Sequence, residues 1–238
     1  RAWLNHQAGN SAKAFQLFTN YVERFPANKL APLAQKWVAD FHFQSGKFSQ
    51  SEQSYRQIFE NTNYLNFSKD LIWESRLSAA RSAFFSQEYY TAQLLLEDII
   101  KSTNAPLDDV ARAEFYLGDV ISEQTDRTPT NLIEALVHYQ KVAREMTNSF
   151  LNAVAWGRMG DCYFQLGNLS QALVSYSTVT KLPEADVTIR SQAKLGLARV
   201  LSEQALAVDE IDRNQQLLQQ SLDHCFEIVF GSNLRSAN

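Results

Sequence analysis

Histidine, cysteine and clustered carboxylates are the side chains with which a chain like this would hold a metal or move a proton, and here they are dispersed. His6, His42, His138 and His224 stand far apart in the chain, and no HExxH or CxxC spacing occurs. His224-Cys225 is the one adjacent His/Cys pair. Consecutive helical residues point about 100° apart, so the pair is a poor chelate and reads as a rim histidine beside a core cysteine. There is no GxSxG, no Walker glycine loop and no GxGxxG. The carboxylate pairs Glu97-Asp98, Asp108-Asp109 and Asp209-Glu210 read as solvated helix ends or faces. The expectation is a chain without metal, cofactor or catalytic residues, and so not an enzyme.

Composition narrows the partners. Acidic residues outnumber basic ones, 26 to 22, and the net charge of −4 offers no general attraction to nucleic acid. Tyr55, Tyr139 and Tyr176 fall at apolar-periodic positions, as core residues rather than base-stacking platforms. No apolar run approaches the roughly 18 residues of a membrane helix, so no membrane insertion is expected. Cys162 and Cys225 are too few for a disulfide framework and fit reduced core positions. Scarce glycine (8) and proline (5) argue for long helices. The chain begins at Arg1, without Met or a signal-like segment, and is expected to be an excerpt of a longer one.

The stretch Ala153 to Pro183 organises the rest. Trp156, Met159, Gly160 and Tyr163 fall on one helix face, as do Ala172, Tyr176 and Val179 on a second. Gly167 suits the left-handed end of the first helix. Asn168 with Gln171 makes a capping-box pattern for the second, which Pro183 closes. The small residues Gly160 and Ala172 are expected to face each other and let two backbones approach.

Tryptophan, Met-Gly and tyrosine at this spacing, then glycine, alanine, an aromatic and a late proline, resemble the tetratricopeptide repeat, a helix–turn–helix unit of about 34 residues. The match runs through Trp156, Met159, Gly160, Tyr163, Gly167, Ala172, Tyr176 and Pro183. It recurs in weaker form over residues 1–28, 29–63, 67–104, 107–148 and 186–231. Ala39 and Ser51, Ala80 and Ala92, Gly118 and Ala135, then Gly196 and Ser221 repeat the small pair. The third turn, Ser86-Gln87-Glu88, lacks glycine, and either Ser68 or Asp70 starts its first helix. Gly118 and Ala135 are 17 residues apart against 12 for Gly160 and Ala172, which places an insertion around Thr125 to Pro129. Gly196 and Ser221 are 25 apart, so both helices of the last repeat should be longer, with Gly231 ending the second and residues 232–238 frayed. The resemblance implies an all-α, right-handed α-solenoid of about five and a half repeats and twelve helices, a single superhelical domain over 1–238. It is nearest to bacterial envelope-associated members. Apolar residues at both ends (Trp3, Leu4; Leu222, Phe226, Val229, Phe230) imply further repeats or self-association there.

The resemblance also implies a function, a scaffold binding a peptide or protein segment in a concave groove lined by the first helix of each pair. Carried over, the groove positions are Lys36, Asp40 and Phe43; Glu74, Arg81, Phe84 and Phe85; Arg112, Phe115, Tyr116 and Asp119; Arg158, Asp161, Phe164 and Gln165; Arg190 and Lys194. Arginines beside aromatics suit a peptide, the guanidinium taking carboxylates or carbonyls and the rings taking apolar anchors. Asp40, Asp119 and Asp161 stand where a C-terminal-carboxylate clamp wants asparagine, which argues against that ligand. The rival reading is a regulatory or spacer segment of a larger enzyme or envelope assembly with the groove unused.

Overall fold

Short amphipathic segments separated by tight turns fold here as antiparallel helix pairs. The computed structural model describes residues 1–64, 68–124, 128–146 and 151–231, and among these there is no strand. In order the helices are α1 (Ala2–Gln7), α2 (Ser11–Arg24), α3 (Ala31–Gln44), α4 (Phe48–Glu60), α5 (Lys69–Phe85) and α6 (Tyr89–Lys101). There follow α7 (Leu107–Ser122), α8 (Pro129–Glu145), α9 (Leu151–Gln165), α10 (Leu169–Lys181), α11 (Val187–Leu206) and α12 (Ile211–Phe230). The fold is an all-α helical repeat. Packing divides it into two compact units, Arg1–Val120 and Ile121–Asn238. In the first, α1 to α6 each pack on their neighbours in the chain; in the second, α8 to α12 do the same and α9 also meets α11.

Four hairpin turns share one hydrogen-bond pattern. The amides of Asn10, Lys47, Glu88 and Asn168 donate to the carbonyls of Asn5, His42, Ala83 and Tyr163, at 2.8–2.9 Å. The residue before each donates three back, to His6, Phe43, Phe84 and Phe164. This is the helix-ending motif that needs a left-handed residue at its turn. Gly9, Gly46 and Gly167 supply it, with φ of 78°, 71° and 72°, and in the third hairpin Gln87 is forced to φ 64°. Asn168 caps α10 by accepting from the Gln171 amide at 3.2 Å. The reciprocal half of the expected capping box is not made, because the Asn168 amide is already given to Tyr163. Ser68, not Asp70, caps α5, accepting from the Leu71 amide. Thr128 and Pro129 start α8, and 125–127, the core of the expected insertion, lie outside the described residues, as do 232–238.

Small residues set the helix approach, and the nearest group to Gly160 is a ring. A Cβ on Gly160 would lie 2.5–2.8 Å from the ring of Tyr176, and a Cβ on Gly196 would lie 2.5–2.7 Å from the same ring. Tyr176, four residues beyond Ala172, is therefore what Gly160 makes room for, and glycines of α9 and α11 enclose it. Around the ring Ala153, Ala172, Val179, Ala193, Leu197 and Val200 close a core, with Trp156 and Tyr163 packed at its edge. Gly118 and Ala135 are buried as well. In the first unit Ser51 takes the small position and donates to the Ala39 carbonyl at 2.9 Å. The last pair is long as expected, with 20 residues in each of α11 and α12.

Two substitutions on α9 separate propensity from packing. Gly157 has open space at its Cβ position, so Gly157→Ala should stabilise by roughly 0.5–1 kcal/mol. Gly160→Ala gains the same propensity but drives a methyl into Tyr176, at an overpacking cost of roughly 1–3 kcal/mol. Urea unfolding should show opposite signs, and equal signs would mean the ring is not held there. Gln87→Gly should raise stability by about 1 kcal/mol by relieving the left-handed glutamine; an unchanged midpoint would refute strain at that turn.

Candidate functional site

In the unit Arg1–Val120, side chains from α3, α5 and α7 converge on one face. Lys36, Asp40 and Phe43 come from α3, Glu74, Ser78 and Arg81 from α5, and with Gln44 and Tyr55 they line a polar depression of about 200 Å³. A second depression of about 120 Å³, mainly apolar, is lined by Ala80, Arg81, Phe84, Phe85, Leu96, Tyr116, Asp119 and Val120. Arg81 lines both. Of the positions carried over from the repeat family, the fold brings together Lys36, Asp40, Phe43, Glu74, Arg81, Phe84, Phe85, Tyr116 and Asp119. Arg112 lines neither depression and faces Asp109 at 3.7 Å. Phe115 is 5% exposed and belongs to the core.

The charges of this face are mostly spent on one another. The Lys36 ammonium pairs with Asp40 at 3.1 Å and Glu74 at 3.2 Å. Burial alone would lower the Lys36 pKa, but the two carboxylates outweigh it and raise it. Asp40 also accepts from the buried Tyr55 hydroxyl. Arg81 is different. Its guanidinium lies over Phe43 and Tyr116, 5.6 Å from each ring centre, and no carboxylate of the described residues pairs with it. A row of rings backs it, with Phe43, Phe48 and Phe85 in mutual contact at 5.3–5.5 Å.

The unit Ile121–Asn238 repeats the arrangement on a smaller scale. Val154, Gly157, Arg158 and Asp161 of α9, with Tyr176 and with Ile189, Gln192 and Ala193 of α11, line a depression of about 140 Å³. Arg158 lies 3.9 Å from Asp161. Asp161 accepts from the Tyr176 hydroxyl at 2.7 Å. Phe164 is half-buried against the core, with the Arg199 guanidinium 4.5 Å over its ring. Gln165 is exposed. The remaining two positions are engaged elsewhere. Arg190 donates to the carbonyls of Leu182 and Pro183 at the end of α10, at 3.0 and 3.3 Å. Lys194 pairs with Glu227 of α12 at 3.2 Å.

Phe48, Tyr89 and Arg199 were not picked out from the sequence. Phe48 and Tyr89 each stand two residues beyond the left-handed turn residue, as Leu169 does after Gly167, and that spacing was the available signal. Arg199 has no such marker. Among the described residues no group of three His, Cys, Asp or Glu is placed to hold a metal ion, and no helix is long and apolar enough to cross a membrane.

Fold and site together define a helical-repeat protein with arginine-and-aromatic faces. No family model matches the sequence, and no curated protein does. Among solved structures, BtubC (BKLC) from P. vanneervenii superposes with a TM-score of 0.61 at 16% identity, over 95% of this chain and 92% of that one. The likeness is one of fold.

Buried phenols give the face a pH signature. Burial and the neighbouring Asp40 and Asp161 carboxylates push the Tyr55 and Tyr176 pKa values well above the ordinary 10. Their folded forms stay protonated where the unfolded chain ionises. That stability is complete below about pH 10 and is lost as pH rises above it. Lys36, also raised, acts in the same direction above about pH 10.5. The unfolding free energy should fall as pH rises above about 10, and Tyr176→Phe should shrink the fall; an undiminished fall in that variant would exclude Tyr176 as its source.

Proposed function

We propose that this chain is a non-enzymatic scaffold of the tetratricopeptide kind that holds a peptide or protein segment on its arginine-and-aromatic face. The observation that carries the reading is Arg81. Its guanidinium is fixed between two rings, without a carboxylate among the described residues, at the junction of a polar and an apolar depression. A flat cation with unspent donors suits carbonyl or carboxylate oxygens. The adjoining depression, walled by Phe84, Phe85, Leu96 and Tyr116, takes an apolar side chain. Aromatic and arginine anchors of this kind dominate binding energy at protein interfaces. The left-handed hairpin turns, the glycine-enclosed tyrosine and the small helix-crossing residues support the family reading.

Selection of a random peptide display library on the wild-type chain, with counter-selection on Arg81→Glu, tests the proposal. The expected result is a set of binders that lose at least ~100-fold in affinity on Arg81→Glu, a cost of about 2.7 kcal/mol, while the variant melts as the wild type does. Binders indifferent to Arg81, or none, would overturn it and favour the spacer reading.

A further inference from the structure

The arginine-and-aromatic face of the first unit carries its charges in a fixed order along one helix. On α5, Glu74, Arg81 and then Phe84 and Phe85 follow one another, and all four line the two depressions. At 1.5 Å per residue Glu74 and Arg81 stand about 10.5 Å apart, and the two rings lie about 4.5–6 Å further on. A ligand lying along α5 has to match that spacing.

Two points on this row keep a charge of opposite sign. Lys36 is shared between Asp40 at 3.1 Å and Glu74 at 3.2 Å, two carboxylates to one ammonium, so the cluster is negative by one. The Lys36 pKa is raised although burial lowers it, as the two carboxylates require. The most exposed member of the cluster is Glu74, whose side chain is 53% exposed against 24% for Lys36. Arg81, held over Phe43 and Tyr116, pairs with no carboxylate of the described residues and keeps its positive charge. Asp119, on the wall of the apolar depression, already has a partner.

A ligand that covers this face takes both charges out of water. A neutral segment leaves the two of them covered and uncompensated, which is costly. An acidic run compensates Arg81 but is repelled at Glu74, and a basic run does the reverse. Only a segment carrying both signs in the matching order satisfies the two. Beyond Arg81 the apolar depression, at about 120 Å³, is slightly smaller than the roughly 150 Å³ that encloses a benzene ring, so it takes one aliphatic or aromatic side chain. An extended chain advances about 3.1–3.4 Å per residue, so the distance from Glu74 to Arg81 is three residues and the rings are one or two more.

Building on the scaffold reading above, we infer that the ligand is an extended segment of both charges. It sets a basic residue on Glu74, an acidic residue three places along on Arg81, and an apolar residue one or two places beyond in the depression of Phe84, Phe85 and Tyr116. Glu74 and Arg81 are then the specificity-determining pair, Glu74 rejecting acids and Arg81 rejecting bases.

Peptides selected on the wild-type chain from a random display library, and sorted for dependence on Arg81, test this. The expected consensus has basic, acidic and apolar residues in that order and spacing, read in either chain direction. Replacing the basic residue of a selected peptide by alanine should weaken its binding to the wild-type chain by at least ~5-fold, measured by titration calorimetry. Against Glu74→Gln the same replacement should change affinity by less than ~2-fold, because the coupled partner is gone. The Glu74 side chain is half exposed, so that variant should fold, checked by melting. A fresh selection on Glu74→Lys should turn the basic position acidic and leave the other two unchanged. Arg81-dependent binders that lack the basic residue, or whose basic residue is indifferent to Glu74, overturn this inference and leave the scaffold reading standing. If no binder depends on Arg81, both fall.

Discussion

A tyrosine ring between two glycines is the constraint on which the second unit depends. Tyr176 buries a side chain of the largest class, with substantial apolar area, yet it sits where α9, α10 and α11 come closest. Ring and close approach are compatible only because Gly160 and Gly196 leave no Cβ in the way. The glycines cost helix propensity, on the order of 1 kcal/mol each, and the enclosed ring offsets that by filling the space between three helices. The conformational menu of Tyr176 is further cut by its hydroxyl, which must find an acceptor once buried and finds Asp161. Size, position and orientation of one residue thus fix the mutual placement of three helices.

That requirement reaches the surface. A buried phenol at this position needs an acceptor from the preceding helix, and the residue after the small one is suitably placed to supply it. Asp40 serves Tyr55 as Asp161 serves Tyr176. Acids at these places are therefore parts of the packing before they are parts of any binding face. They occupy Lys36 and lie close to Arg158. In the first unit Arg81 lies on Phe43 and Tyr116, and in the second Arg199 lies on Phe164.

What the sequence made legible follows from periodicity and turn chemistry. Helix existence, the three glycine turns, the long last pair and the burial of Tyr55, Tyr139 and Tyr176 came from spacing alone, since each is a local constraint. The Tyr176 ring as the nearest group to Gly160 did not, because a hairpin pattern does not say which side chain lies closest to a missing Cβ. The same limit applied to Arg190 and Lys194, which matched a groove position by register. Their long, flexible side chains reached instead for loop carbonyls and for Glu227, partners that register does not encode. Gln87 shows the converse. Its turn looked weak for want of glycine, yet the surrounding hairpin imposes the left-handed conformation on it anyway. Tertiary packing outweighs a local penalty of about 1–2 kcal/mol.

Lys36 and Arg81 differ in how far each is free to meet a ligand under the proposed reading. To meet a new acceptor, Lys36 must give up one of two carboxylates within 3.2 Å, and the exchange of one charge-assisted bond for another yields little. Arg81 pairs with no carboxylate of the described residues. Its guanidinium plane is already held by two rings, so little side-chain entropy remains to be lost on binding. Preorganisation of this kind raises affinity without new contacts, and in the first unit it is concentrated at the residue that stands between the polar and the apolar depressions.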